Sequence, residues 1–448
     1  MKFDFVFSTL ALAASALAVK DNQDTTTLTA SLSSTTSISV PSGCSYSKAF
    51  TATAQSDLDT LAGCQAIKGD VVITGELGSA NIANVKVIYG DLQVYDTQTL
   101  EALTADSVTT ITGALKLHNV TLLSTLSFAS LSSIGAINWV TLPNLGETGL
   151  HEVNECNSIL VSDTNLTALD GLNPTDVEVF NVNNNKQLVS ISSSIETISN
   201  ALTVAFNGND TTVEFEDLIW ANNMTFYSVS SIYIPEIVAI NKSAGFFESS
   251  VEELDFSLVT SIGGDLTIEN NEQLSYIDFG NVTSIGGGLV IVNNTELVSI
   301  DNLDSIKSIQ GAAIIKGDFD NCTMHSLKTV KGSFDLETTG YADCQPFKKL
   351  SKNGGIKGDY TCKAKTKKSS SSSKTSKSSK SSTKTKSSSK TTSGSDDSAS
   401  GNKNISSSSS SSSSAEVSSI SSTSKGDASF LKCSSVFSTM AAIFFSLL

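Results

Sequence analysis

The stretch Ser261-Ile262-Gly263-Gly264-Asp265-Leu266-Thr267-Ile268-Glu269-Asn270-Asn271 decides the fold. A β-branched residue is followed two positions later by glycine, then by apolar residues at +4 and +6 with polar residues between. Alternation at period two marks a strand with one buried face. The pattern also reads Ile67-Gly69-Val71-Ile73, Ile88-Gly90-Leu92-Val94, Ile111-Gly113-Leu115-Leu117, Ile285-Gly287-Leu289-Ile291 and Val330-Gly332-Phe334-Leu336. Ile309-Gly311-Ala313-Ile315 is a weakened copy. Neighbouring copies start 21, 23, 23, 24 and 21 residues apart. Each continues into an Asn-containing turn and a second apolar set, such as Asn270-Asn271, Leu274, Ile277, Phe279 and Val282.

A repeat near 22 residues is the signature of a solenoid, in which each unit buries its apolar side only against its neighbours. The +4 and +6 side chains point inward, +5 points outward, and the small residue at +2 permits a tight corner. Equivalent residues then stack ~4.8 Å apart, giving about twelve coils between Ile67 and Val330. Over 153–250 the period is less clean, although Phe180-Val182-Asn184-Leu188-Ile191 still aligns with Leu266-Ile268-Asn270-Leu274-Ile277. The fold class is therefore all-β, a leucine-rich-repeat-like parallel β-helix.

Coil geometry constrains the cysteines. Cys44 and Cys64 lie about one coil apart and should close the N-terminal end; Cys344 and Cys362 should close the other. Cys156 and Cys322 would sit roughly 35 Å apart, far beyond disulfide reach. Cys322 could instead pair with Cys344, one repeat away, leaving Cys362 and Cys156 unexplained.

Both ends read as processing signals. Lys2, the short apolar run Phe5 to Leu17 and the small residues Ala16-Leu17-Ala18 describe a secretory signal peptide over 1–18. Gly426-Asp427-Ala428, a short spacer and the apolar tail Val436 to Leu448 form a signal for a glycosylphosphatidylinositol (GPI) anchor. Gly426 is the expected attachment residue, with Ser424 and Asp427 as alternatives, and 427–448 the propeptide that is removed. Between the signals lie a Ser/Thr-rich leader at 19–43, the solenoid body at 44–362 and a disordered Ser/Thr/Lys-rich stalk at 363–426. Extended at ~3 Å per residue, the stalk could lift the body by roughly 190 Å. Secretion makes the Asn-x-Ser/Thr sequons at Asn119, Asn165, Asn209, Asn223, Asn241, Asn281, Asn293, Asn321 and Asn404 candidate N-glycosylation sites.

Charge narrows the partners. The body holds 14 Lys against 38 Asp plus Glu, or 14 − 38 = −24, and there is no Arg in the chain. An acidic surface without a guanidinium fork is a poor reader of phosphate, so nucleic acid is not an expected partner.

Parallel β-helices can host polysaccharide chemistry, which needs two carboxylates ~5–9 Å apart across a sugar. Asp70, Asp91 and Asp265 share the outward +3 position, and Asp70 and Asp91, one coil apart, could form a like-charge pair; Glu269 and Glu272 flank a turn. A solvated acidic face is the favoured reading of these residues. His118, His151 and His325 are scattered without metal-ligand spacing, and no cofactor is expected. Trp139 and Trp220 read as packing residues, and Asn183-Asn184-Asn185 as a turn or stacked ladder. No catalytic residue is assigned.

The repeat resembles the receptor L-domain, the leucine-rich parallel β-helix of growth-factor receptor ectodomains. More closely, the chain resembles the fungal GPI-anchored cell-wall proteins of the extracellular-mutant and sporulation-specific-protein family. The matching residues are Ile134-Gly135-Ala136-Ile137-Asn138-Trp139 with Leu142-Pro143-Asn144-Leu145, the stretch 261–271, and the closing segment Asp343-Cys344, Phe347, Leu350 and Ile356-Lys357-Gly358-Asp359-Tyr360-Thr361-Cys362. The resemblance implies a non-enzymatic role in cell-wall organisation and integrity. It also implies contact with wall polysaccharide or wall proteins, and a membrane link through the GPI lipid alone. A glycan-binding or glycan-remodelling protein working through the solenoid face is the alternative.

Overall fold

A computed structural model describes residues 38–365. The signal peptide, most of the leader, nearly all of the stalk, the propeptide, Gly426 and Asn404 lie outside the described residues. The described chain is a succession of short strands wound into a parallel β-solenoid of about fourteen turns. All strand pairings among the described residues are parallel, and the largest sheet runs the length of the stack with 22 strands. Smaller sheets form elsewhere on the coils, for example from Ser190–Ser192, Thr212–Glu214 and Ser231–Tyr233.

The apolar pattern becomes columns. Ile67 pairs with Ile88, Ile88 with Ile111 and Ile111 with Ile134; further up, Ile240, Ile262, Ile285, Ile309 and Val330 continue the line. Leu266, Leu289, Ala313 and Phe334 form the +4 column, and Ile268, Ile291, Ile315 and Leu336 the +6 column. All these side chains are buried. Because identical shapes repeat every coil, burial of one coil's apolar edge is completed by the next, and stability accrues by nearest-neighbour contact.

The two short strands of a coil fuse over the middle of the stack. In most coils with a glycine at +2 the backbone breaks at the corner, as between Ser261–Ile262 and Leu266–Glu269, but Thr110–His118 runs unbroken through Gly113. Glu155–Thr164, Asp176–Asn183, Thr197–Ala205 and Trp220–Tyr227, which lack that glycine, also run straight through, whereas Ala239–Ile240 and Ala244–Phe247 are separate with Lys242 at the corner. The register slips by one residue at the corner, between Ile134 and Ala136, between Val177 and Val179 and between Ile198 and Ala201. The columns survive this, so Phe180, Leu202, Met224, Ala244 and Leu266 still stack.

Both ends of the stack are covered. At one end Leu58 and Leu61, from a short helix and the turn after it, are fully buried, and Cys44 is bonded to Cys64. At the other, the helix Gln345–Lys352 brings Phe347 against Phe334 with ring centroids 4.6 Å apart, and Cys344 is bonded to Cys362. Such covers keep the terminal coils from offering open edges to other chains. The pairing of Cys322 with Cys344 does not occur. Cys156 instead stands in the buried column beside Ile134, and Cys322 pairs in register with Ile300. Both thiols act as small core residues, and burial raises their pKa values to about 11 and about 12, so neither is a ready nucleophile.

Candidate functional site

The +3 carboxylates have a structural occupation. Asp70 Oδ1 accepts from the Asp91 backbone N–H at 2.9 Å, Asp91 Oδ1 from Ala114 at 2.8 Å, and Asp265 Oδ1 from Gly288 at 2.6 Å. Each carboxylate therefore reaches to the next coil and satisfies an amide at the corner that glycine breaks. Asp70 and Asp91 are successive rungs of this ladder rather than two carboxylates facing a common substrate; both are partly buried, while Asp265 is exposed, as expected of a solvated acidic face. Partial burial works against ionisation of Asp91, but Lys116, 2.6 Å away, and the Ala114 N–H outweigh it and hold the carboxyl below its ordinary range. A general acid needs the opposite displacement.

The sign of that displacement gives a prediction. A carboxyl with a depressed folded-state pKa contributes stability above its ordinary pKa, near 4, which is lost as pH falls through the folded value. Asp91→Asn should lower the melting temperature at pH 7 by the equivalent of under about 1 kcal/mol, since the pair is partly solvated. The gap between variant and parent should narrow as pH falls from the ordinary value through the folded one; a gap that does not change with pH would refute the assignment.

The other sequence candidates disperse. His118 Nε2 lies 2.9 Å from Asn138 Oδ1, and His325 Nδ1 lies 2.9 Å from Asp304, both at the surface. Among the described residues no group of three or more His, Cys, Asp or Glu converges as a metal site would require. Trp139 is fully buried and packs in the core, while Trp220 is half-buried. Asn185 and Asn207 form one interior amide ladder and Asn271 and Asn294 another.

What the structure assembles, and the sequence pattern did not reveal, is an aromatic strip on the outer face of the long sheet. The outward position that closes each main strand holds Ala205, Tyr227, Phe247 and Glu269 in consecutive coils. Tyr227 and Phe247 stack with centroids 4.9 Å apart and planes inclined by 15°. Phe206, one residue beyond Ala205, adds a third ring 4.9 Å from Tyr227. Phe206 is 49% exposed and sits at φ 55°, in the left-handed region. The corresponding turn position holds Asp163, Asn184, Ser228, Glu248, Asn270 and Asn293 in other coils, all also at positive φ. Asn and Asp tolerate that conformation through local hydrogen bonds; a bulky aromatic there is costly.

Gly245 makes room for the strip. It occupies the outward position two before Phe247, between Thr225 and Thr267. A Cβ at Gly245 would come within 2.4 Å of the Phe247 ring, so the ring lies over bare backbone. Beside it, Glu248, Ser249, Ser250, Asn270, Glu272 and Gln273 line a shallow open depression. Burial raises the pKa of the Tyr227 hydroxyl, and the nearby charges of Glu248 and Glu269 push the same way. The phenol therefore stays neutral and available as a donor.

A capped parallel β-solenoid with two terminal disulfides and one sheet running its length defines a repeat scaffold. Comparison with known proteins places it more narrowly. The chain is 39% identical over 313 residues to the cell wall mannoprotein PST1 of Saccharomyces cerevisiae, a match spanning 69% of this chain and 70% of that one. It is 35% identical over 335 residues to the cell surface GPI-anchored protein ECM33 of Candida albicans, covering 73% and 81%. It is 28% identical over 306 residues to sporulation-specific protein 22 of S. cerevisiae, covering 67% and 66%. No family model matches the chain, and no solved structure matches it. The chain belongs to the fungal family of GPI-anchored cell-wall proteins of the extracellular-mutant and sporulation-specific type. It is a protein of the cell surface and wall.

The strip had a faint signal in the sequence. The doublets Phe226-Tyr227 and Phe246-Phe247 stand 20 residues apart, close to one repeat, and in each the first ring points in and the second out. The signal is hidden because these coils lack the glycine that sets the register elsewhere.

Proposed function

We propose that this chain is a non-enzymatic, GPI-anchored glycoprotein that organises the fungal cell wall and maintains its integrity. The observation that carries this reading is the match to named wall and surface proteins along most of the solenoid, at up to 39% identity. The bonding of Asp70, Asp91 and Asp265 to backbone amides supports a structural rather than a catalytic role for the most regular carboxylates. The scaffold acts through its surface: a long flat face, held off the membrane by the stalk and anchored through Gly426, meets wall polysaccharide or wall proteins.

Deletion of the gene in the parent fungus should raise sensitivity to wall-perturbing dyes several-fold, with disturbed wall layering. The parent chain and an Asp70→Asn/Asp91→Asn variant should both restore resistance, because asparagine keeps an oxygen that can accept the same amide bonds. Normal dye resistance in the deletion strain would overturn the wall role. Failure of the folded Asn variant alone to restore it would overturn the non-enzymatic reading. The glycan-binding alternative is favoured by one observation, the outward aromatic strip, in which Phe206 is exposed and Tyr227 and Phe247 are half-buried.

A further inference from the structure

The geometry points to the Phe206–Tyr227–Phe247 strip, with the depression beside it, as a binding site for an uncharged hexose polymer. The inference deepens the surface role proposed above and rests on it.

Three features converge on four successive coils. Phe206 holds an exposed aromatic ring in a backbone conformation that other coils give to small polar residues or Glu. Strain of that kind persists where the surrounding structure or a function sustains it. Gly245 clears the outward column at the point where Phe247 must lie down, although a glycine inside a strand weakens it. Glu248, which follows Phe247 in the chain, and Asn270, Glu272 and Gln273 of the next coil line a depression beyond the last ring with carboxylates and amides.

Apolar surface flanked by a few convergent polar groups is the composition of a small-ligand site. The ligand chemistry follows from the parts. Because the rings stack on one another, a hexopyranose's C–H groups meet their outward edges and the exposed Phe206, and its hydroxyls bond to carboxylates and amides. The body's charge of 14 − 38 = −24 disfavours polyanions, and the rings offer the apolar contact that an uncharged chain uses. Three rings in successive coils, each step 4.9 Å, suit an extended chain running along the stack rather than a single sugar.

The sequons spare the strands but reach the turn column. Neither of the two outward strand positions, in any coil from Gln93/Tyr95 to Asp335/Glu337, carries a sequon asparagine. The turn position that Phe206 holds in its coil is a sequon asparagine at Asn119 and Asn293, and Asn293 Nδ2 donates to Asn270 Oδ1 at 3.0 Å beside the depression. Asn223, on the same strand as Tyr227, is the sequon nearest to it along that strand, four residues or roughly 13 Å away.

The test is cosedimentation of the full-length glycosylated chain, purified in detergent, with insoluble β-1,3-glucan, chitin and mannan. The parent should bind at least one of these, and the arm that binds identifies the source. Tyr227→Ala/Phe247→Ala should lower the apparent affinity at least tenfold. Gly245→Val should do the same with every ring retained, by driving Phe247 off the sheet. Tyr276→Ala, which removes an exposed tyrosine in a different sheet, should bind as the parent does. Melting curves establish that each variant is folded. The proposal is overturned if the parent binds none of the polymers, or if the folded ring variants bind as well as the parent. It is also overturned if binding appears only in Asn223→Gln, which would make the chain's own glycan the occupant of the strip. Dye resistance of the deletion strain is scored separately: restored resistance with no polymer binding removes this inference and leaves the wall role standing.

Discussion

Gly311→Ala should be among the most damaging single substitutions in the solenoid, costing about 3 kcal/mol or more and lowering the melting temperature by roughly 6–12 °C. The reason is the distance between layers. A Cβ at this position would lie 2.7 Å from the Gly288 nitrogen and 2.8 Å from the Gly287 carbonyl carbon, both backbone atoms of the preceding coil. Neither can swing away as the end of a side chain could. A hydrogen-bond chain also passes through the corner: Gly287 donates to Gly264 at 2.7 Å, Gly311 to Gly287 at 2.6 Å, Gly332 to Gly311 at 2.8 Å and Gly358 to Gly332 at 3.0 Å. Relieving the clash means lifting one coil from the next, which lengthens these bonds and opens the packed columns on either side. Gly146→Ala is the matched control, because an added Cβ there meets nothing within 4 Å. Calorimetry of both variants decides the matter; equal melting temperatures would remove the stacked-corner argument.

The second large effect is expected inside the stack. Asn271 is fully buried, and its side chain is bonded on every side. Its Oδ1 accepts from the Ser249 N–H at 3.0 Å, and its Nδ2 donates to Phe246 O and to Asn294 Oδ1, each at 3.1 Å. Asn271→Leu keeps the volume but leaves the Ser249 amide and the Phe246 carbonyl short of partners in an apolar interior, while Asn294 Oδ1 keeps only the Asn271 backbone N–H, at 3.0 Å. Each orphaned buried group costs about 1–3 kcal/mol, so a total near 3–5 kcal/mol is expected from urea unfolding. The position does accept apolar residues elsewhere, since Val120 and Leu142 follow the same left-handed turn residue in their own coils. The penalty at Asn271 therefore comes from its neighbours and not from the site's shape. Asn271→Leu/Asn294→Leu should cost clearly less than the two single changes added together. Strict additivity would mean that the amides do not act as a ladder.

The two predictions separate what a repeat can announce from what it conceals. The Ile-x-Gly-x-Leu-x-Ile spacing announced the columns because period-two burial leaves its mark on every coil. The glycine was legible as a corner residue, yet its main role lies elsewhere. Only Gly69 and Gly90 of the N-terminal set have positive φ at this position, whereas at Gly311 and Gly332 the demand is for space against the coil below. Asp70 and Asp91 were visible as a repeated outward acid, but whether such a carboxylate faces solvent, a partner carboxylate or an amide depends on the next layer. Here the amide is 2.9 Å from Asp70.

The sequence by itself determined the parallel β-solenoid, its period and its apolar columns, because these follow from local alternation repeated along one chain. It also singled out the cysteines that stand one coil apart at each end. Only the tertiary structure decided which side chains of separate coils touch. Phe206, Tyr227 and Phe247 become neighbours because the middle coils stay in register without their glycines, and Phe206 reaches Tyr227 from the turn position rather than from the strand. Contacts between layers depend on register at the level of a single residue, and a repeat spacing that varies between 21 and 24 residues does not fix it.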